Sequence, residues 1–281
     1  MRVAVTGSSG FLGSRLAVRL KELDIEIIEL DIRSGVDLTD WRRLMGVEKS
    51  DVVIHLAART FVPASYENPR EFYSANIIST LNALELARKF RAKFIFASSY
   101  VYGVPEYLPI DENHPTKPFN PYAQSKIICE QLCAGYHRDF GMNIVIFRPF
   151  NLYGPGQDER FLIPTIIKQA RSGSVMLKDP KPKRDWIFVD DAKEAFVKAL
   201  YYDKSEFEVF NLGSGKSSSV EEIVAVLRKY VQGDFKVAFT GEERKFEVMD
   251  TVADISKARR LLGWNPGIEL EEGIKKCLEE I

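Results

Sequence analysis

Five apolar blocks, "RVAVTG", "EIIELD", "DVVIHLA", "KFIFASS" and "NIVIFRPF", recur through the first 150 residues with helix-like segments between them. Blocks this continuous offer no polar face, so each must be covered on both sides. Strands covered on both sides and separated by helices form a parallel sheet with helices on its two faces. The intervening helices are expected from about Phe11, near Trp41, through "NIISTLNALELARKF" and from Pro121. The fold class expected is therefore α/β, a Rossmann-type doubly wound parallel sheet.

Beyond Arg148 the pattern loosens. "NLYGPGQDERFLIP" and "KDPKPKRDW" are rich in Gly, Pro and charge and read as loops around a substrate site. Helices return at Asp191 to Tyr202, at Ser219 to Tyr230 and twice near the end, with Ser219 and Glu222 spaced for a capping box and Gly263 with Pro266 for a helix stop. No linker separates the halves. The expected organisation is a dinucleotide-binding domain over 1–150, rejoined by 185–212, and a smaller interleaved substrate domain from 151–184 and 213–281.

With 281 residues, 45% hydrophobic and 28% charged, the chain has a globular composition. The net charge of -1 supplies no basic field for nucleic acid or an anionic membrane. No apolar run approaches the ~20 residues that span a bilayer, and the N-terminus does not read as a signal peptide, so the cytoplasm is the default expectation. The three cysteines complete neither a disulfide framework nor a zinc site; Cys129 and Cys133, one helical turn apart, read as core residues.

"VTGSSGFLG" places Gly7, Gly10 and Gly13 after the first strand and across the start of the first helix. Glycines there permit close backbone approach, and the helix N-terminus offers free N–H groups to a diphosphate. Asp31 follows Gly13 by eighteen residues, where a carboxylate accepts ribose hydroxyls. Together these features predict a dinucleotide site. Asp31 repels a 2'-phosphate and so favours NAD over NADP; Arg33, two residues on, partly offsets that repulsion.

In "FNPYAQSK", Asn120 caps a helix and Pro121 opens it, which puts Tyr122 and Lys126 at i and i+4 on one face. A phenol of ordinary pKa ~10 is a poor base at neutral pH, but a neighbouring ammonium favours its phenolate. The pair is thus a usable proton-transfer unit.

"TGSSGFLG", "HLAA", Asn76 of "NIIST", "SSYVYG", "PYAQSK", "RPFNLYGPGQ", "RDWIFVDD", "NLGSG" and "DISKARRLLGW" occur here in one order. In this the chain resembles the extended short-chain dehydrogenase/reductases, in particular the NAD-dependent nucleotide-sugar epimerases and dehydratases. The resemblance covers nearly the whole chain. It implies NAD as cofactor, a nucleotide-sugar substrate and a homodimer. Tyr122 becomes the acid/base, and Lys126 the residue that lowers its pKa and holds the nicotinamide ribose. A serine becomes the hydroxyl on the reacting sugar oxygen. Counting along the strand selects Ser99, and counting back from "VYG" selects Ser98; the strand count is preferred because strand pairing holds register better than a loop does.

By the same resemblance Gly7, Gly10, Phe11, Leu12, Gly13, Asp31, Asp37, Leu38, Leu56, Ala57, Ala58, Asn76, Ser98, Tyr122, Lys126 and Phe150 line the cofactor. Ser99, Tyr122, Asn151, Phe161, Arg184 and Arg244 meet the substrate, the two arginines on its diphosphate. His55 is expected to be a structural residue at a strand end. Where 4,6-dehydratases of this family carry an Asp-Glu pair, this chain has Tyr100 and Val101. It also lacks the glutamate of decarboxylating members and the Cys/His pair of epimerising reductases. The expected activity is a UDP-sugar 4-epimerase working through a 4-keto intermediate. A 4-ketoreductase is the alternative, because the segment from Asp31 to "DLTD" is short, and a noncatalytic sensor on the same fold is a third reading.

Overall fold

The computed structural model describes residues 1–204, 206–242 and 247–279. In chain order the elements are β1 (Arg2–Thr6), α1 (Phe11–Glu22), β2 (Glu26–Leu30), α2 (Trp41–Leu44), β3 (Val52–His55), α3 (Val62–Glu67), α4 (Pro69–Phe90), β4 (Lys93–Ala97), α5 (Pro121–Phe140) and β5 (Ile144–Pro149). There follow β6 (Asn151–Tyr153), α6 (Leu162–Arg171), β7 (Ser174–Leu177), β8 (Lys183–Phe188), α7 (Val189–Leu200), β9 (Phe207–Leu212), β10 (Ser217–Ser219), α8 (Val220–Tyr230), β11 (Lys236–Phe239), α9 (Ser256–Leu262) and α10 (Leu270–Glu279).

The five apolar blocks become five parallel strands, and β9 adds a sixth, in the order β2-β1-β3-β4-β5-β9. Alternate residues of each central strand enter opposite cores, as the two-residue period of a strand requires. Val3, Val5, Ile54, Ile95, Val145 and Phe147 pack with α1, α7 and α9 on one side. Ala4, Val53, Phe94, Phe96, Ile144 and Ile146 pack with α4 and α5 on the other. Both faces are dry, which explains why these strands read as unbroken apolar runs. The chain crosses from one side of the sheet to the other between β1 and β3, and such a crossover opens a crevice at the C-terminal strand ends.

The later residues build a second core. β10, β8 and β6 form a three-stranded sheet, and β11 pairs with β7. Tyr153, Ile166, Ile167, Phe188, Ile223, Leu227 and Ile274 pack between these strands and α6, α8 and α10. The chain passes from the small sheet at β8 straight into α7, which lies against α1, and then into β9 of the large sheet.

Helix ends follow their local signals. Asn120 accepts the Ala123 N–H at 2.8 Å at the head of α5, and Gly141 ends that helix in the left-handed conformation. Ser219 and Glu222 form the expected capping box on α8. The helix expected to start at Asp191 begins at Val189, and α4 starts seven residues before Asn76. Sequence alone predicts a loop through "FLIP", whereas α6 begins at Leu162 and buries Ile163, Ile166, Ile167 and Ala170 on one face. The spacing of those four residues is helical, but the Gly, Pro and charge just before them mask it. Among the described residues no helix is long and apolar enough to cross a membrane.

Candidate active site

The loop after β1 is built by close contact. Gly7 adopts φ +68°, and a Cβ there would fall 2.7 Å from the Ala57 backbone nitrogen; a Cβ on Gly13 would fall 2.0 Å from the Gly7 carbonyl oxygen. Both positions exclude any larger residue. Ser8, in the middle of this loop, is buried, and its hydroxyl has no hydrogen-bond partner among the described residues. Asp31, at the end of β2, accepts the Ser9 N–H at 3.0 Å and the Arg33 N–H at 2.9 Å, while the Arg33 guanidinium donates to the Ser9 carbonyl at 3.0 Å. The Asp31 carboxylate thus lies beside the glycine turn.

The far wall of this crevice is held by β3 and α4. His55 is buried between the hydroxyls of Thr6 (2.7 Å) and Thr80 (3.0 Å) and stacks on Phe94 and Phe96. Burial, assisted by Lys126, lowers its pKa to about 3, so it stays neutral. Thr6 also accepts the Leu56 and Ala57 N–H groups, which fixes the start of the Leu56, Ala57, Ala58 segment. Asn76 accepts the Arg59 N–H at 2.8 Å and donates to Ser125 at 2.9 Å, tying that segment to α5. Asp37 accepts both Thr39 donors and stays exposed, whereas Leu38 is buried. Phe11 lies half-buried at the start of α1, with the Arg15 guanidinium over its ring, and Leu12 packs on the core beneath.

The end of β4 meets a single stripe of α5. Tyr122, Lys126 and Glu130 recur every four residues on that helix, and each engages a different residue of "ASS". The Lys126 ammonium donates to the Ala97 carbonyl at 2.7 Å. The Ser98 hydroxyl donates to Glu130 at 2.5 Å. The Ser99 side chain acts on the Tyr122 phenol and favours its charged form. The two adjacent serines therefore have different partners, and Ser99 is the one at the phenol.

Burial pushes the Tyr122 phenol up, and Ser99 acts in the opposite direction. Lys126 is itself lowered by burial to about 8. Desolvation of the phenol is the largest influence on it, and the Lys126 ammonium is fixed by its bond to the Ala97 carbonyl. Beneath the site lies a feature that sequence reading missed. Arg148 grips Glu130 through two nitrogens at 2.6 and 3.0 Å, with both side chains under a tenth exposed, and also donates to the Tyr102 hydroxyl at 3.1 Å. Nothing local in the sequence marks this pair, because its members are eighteen residues apart on different elements.

The substrate-side residues are more dispersed. Asn151 donates to the Asp185 carbonyl at 3.1 Å from β6. Phe150 is buried edge-on to Tyr100. Phe161, at the head of α6, meets Phe61 edge-on across the crevice, and the Arg160 guanidinium covers the same Phe61 ring. Arg184 pairs with Glu247 at 2.5 Å and donates to the Val248 carbonyl. Arg244 lies outside the described residues. Asp185 is a further residue absent from the sequence-based set: fully buried, its carboxylate accepts the N–H groups of Ser214, Gly215 and Ala253 and so pins two segments beside Arg184.

A cradle closed to any Cβ, a buried unpartnered hydroxyl inside it and a carboxylate at its rim fit the diphosphate and ribose of a dinucleotide. Comparison with known proteins agrees with that geometry. Residues 3–213 match the NAD dependent epimerase/dehydratase family. The chain is 30% identical to a UDP-glucose 4-epimerase of Lactobacillus helveticus, over 95% of this chain and 92% of that protein. It is 29% identical to a GDP-6-deoxy-D-mannose reductase of Pseudomonas aeruginosa, over 99% and 96%. The crystal structure of a UDP-glucose 4-epimerase from Thermotoga maritima with UDP-glucose superposes with a TM-score of 0.90 at 28% identity, over 100% and 98% of the two chains.

Proposed function

The chain belongs to the NAD-dependent epimerase/dehydratase family, and from that premise we propose that it is a nucleotide-sugar 4-epimerase acting on a UDP-sugar. One observation carries this reading: among the described residues the site offers a hydroxyl, a phenol and an ammonium, and the two positions after the serines, Tyr100 and Val101, hold no carboxylate. Tyr100 hydrogen-bonds the Gly103 carbonyl and Val101 is buried. The acids behind them are taken, Glu130 by Arg148 and Ser98, and Glu112 by the Asn211 N–H. Such a set moves one proton at one oxygen, and it lacks a base to remove a second proton from carbon.

When bound, NAD supplies a hydride acceptor at the sugar C4 and then a hydride donor to the same carbon. The residues that would hold it are the Gly7 to Gly13 turn, Ser8, Asp31 and the Leu56 to Ala58 wall. Tyr122, as the phenolate, takes the C4 hydroxyl proton as the C4–H bond breaks, and a hydrogen bond from Ser99 stabilises that phenolate before it accepts the proton. Lys126, fixed on Ala97, supplies positive charge from the same helical face. The keto sugar then turns over, and Tyr122 returns the proton to the oxygen formed on the opposite face. Arg184, released from Glu247, is the proposed partner of the substrate diphosphate.

A 4-ketoreductase is the second reading. It is favoured by the short passage between β2 and β3, where the described residues hold only a single turn at Ile32–Ser34 and α2, and by the similarity to a reductase. Incubation with UDP-, GDP- and dTDP-sugars and catalytic NAD decides between them. C4 epimers interconverting without net redox are expected. Stoichiometric NAD(P)H consumption by 4-keto sugars, with no epimer formed, would replace the epimerase with the reductase, and neither activity would leave a noncatalytic sensor.

A further inference from the structure

The third rung of the α5 stripe has no place in the proton transfer just described, yet it is the most elaborately held residue of the three. Glu130 accepts from Ser98 and from two nitrogens of Arg148; Arg148 in turn bonds the Tyr102 hydroxyl and the Glu112 carbonyl, and Tyr102 donates to Asn211. Burying an ion pair is costly and by itself is weak evidence for stability. Here it stands one residue from the serine that meets Tyr122. The Ser98 N–H continues the ladder onto Phe147 of β5 at 2.8 Å, so backbone and side chain of Ser98 are both anchored. Among the described residues Ser99 has no comparable anchor of its own.

We propose that Glu130 and Arg148 are positioning residues: acting through Ser98, they hold the end of β4 in the register that presents Ser99 to the Tyr122 phenol. Glu130 thereby extends the Tyr122 and Lys126 pair into a three-point clamp on residues 97–99. The proposal rests on the Ser99 and Tyr122 reading of the site, but not on which sugar is turned over. The groups facing the phenol are Ser99 and Cys129; those around Lys126 are Cys129, Glu130, Cys133 and His55. Ser98→Ala alters none of these charges, so its effect on the phenol reports position alone.

The test titrates Tyr122 in the NAD-saturated full chain by phenolate ultraviolet absorbance, isolated as the difference from Tyr122→Phe. Ser98→Ala is expected to raise the Tyr122 titration by on the order of one pH unit, as loss of a hydrogen bond to the charged form does. With an active sugar nucleotide, kcat should fall about tenfold with KM held within about twofold, the mark of misplaced groups and not of lost binding. Ser98→Thr, which keeps the hydroxyl, should restore the titration. The double variant Glu130→Leu/Arg148→Met leaves no unpaired buried charge and no acceptor for Ser98, and should reproduce the Ser98→Ala shift. A parental Tyr122 titration in both Ser98→Ala and the double variant, with Ser99→Ala shifted, would overturn the proposal. A wild-type enzyme that turns over no sugar nucleotide would refute the functional reading, whereas the titration would still decide this one.

Discussion

The two ends of the crevice are held by different means. At the β4 end, Tyr122, Lys126 and Glu130 project from one long helix onto a strand buried in the sheet, and a buried ion pair locks them from behind. At the Arg184 end, the guanidinium sits on a short strand of the small sheet and is held by Glu247 and the Val248 carbonyl, with side chains that keep 15 to 20% of their surface exposed. The first arrangement suits a group whose position must not vary between turnovers. The second suits a group that changes partners when a substrate arrives.

If this contrast holds, substitutions at the first end should damage chemistry or folding, and substitutions at the second should damage substrate affinity. Tyr122→Phe is expected to cut turnover by about 10²- to 10⁴-fold while NAD binding is retained; near-parental turnover on the true substrate would remove Tyr122 from the chemistry. Arg148→Ala, which strands Glu130 as a buried charge, should cost about 3–5 kcal/mol in a denaturant unfolding experiment. Arg184→Ala should raise KM for the sugar nucleotide by roughly ten- to a hundredfold, the worth of a hydrogen bond to a charged group, with little change in unfolding midpoint. Equal effects of the two arginine variants on stability would erase the distinction.

Two smaller effects sharpen it. His55 keeps a folded-state pKa of about 3 against an ordinary 6.5. Below pH 6.5 the unfolded chain gains a proton that the folded chain refuses, so stability falls as pH drops from 6.5 toward 3. His55→Phe should flatten that slope in urea unfolding measured across the interval, even if it is less stable at neutral pH. An unchanged slope would show that other groups carry the acid sensitivity. Ser219→Ala, far from the crevice, should cost about 1 kcal/mol through loss of the α8 cap and leave kinetics untouched; a change in KM would tie the small domain's packing to the substrate end.

Most of the large sheet was legible because its signals are local. Five apolar blocks need no partner to be recognised, and the N-cap and proline before Tyr122 mark a helix from adjacent residues alone. The small domain was less legible. Its strands carry mixed or polar sequences such as SSS and KRDWIF, with no continuous apolar block to mark them, and α6 follows directly on a Gly- and Pro-rich loop. Asp185 gave no signal, since an aspartate in a charged segment reads as surface until Ser214, Gly215 and Ala253 arrive from distant parts of the chain to saturate it. The burial that raises the Tyr122 phenol was not legible either, since spacing does not report it.

By itself the sequence determined that this chain forms a two-sided parallel sheet with a glycine turn after its first strand, and that Tyr122 and Lys126 share a helical face. These follow from backbone periods of two and 3.6 and from the steric freedom of glycine, which act within a few residues. Only the tertiary structure gave the two adjacent serines different partners. Ser98 and Ser99 are chemically identical and one peptide apart; what separates them is Glu130, thirty-two residues on from Ser98, with Arg148 behind it on another strand. A pairing of that kind exists only once helix and sheet have packed.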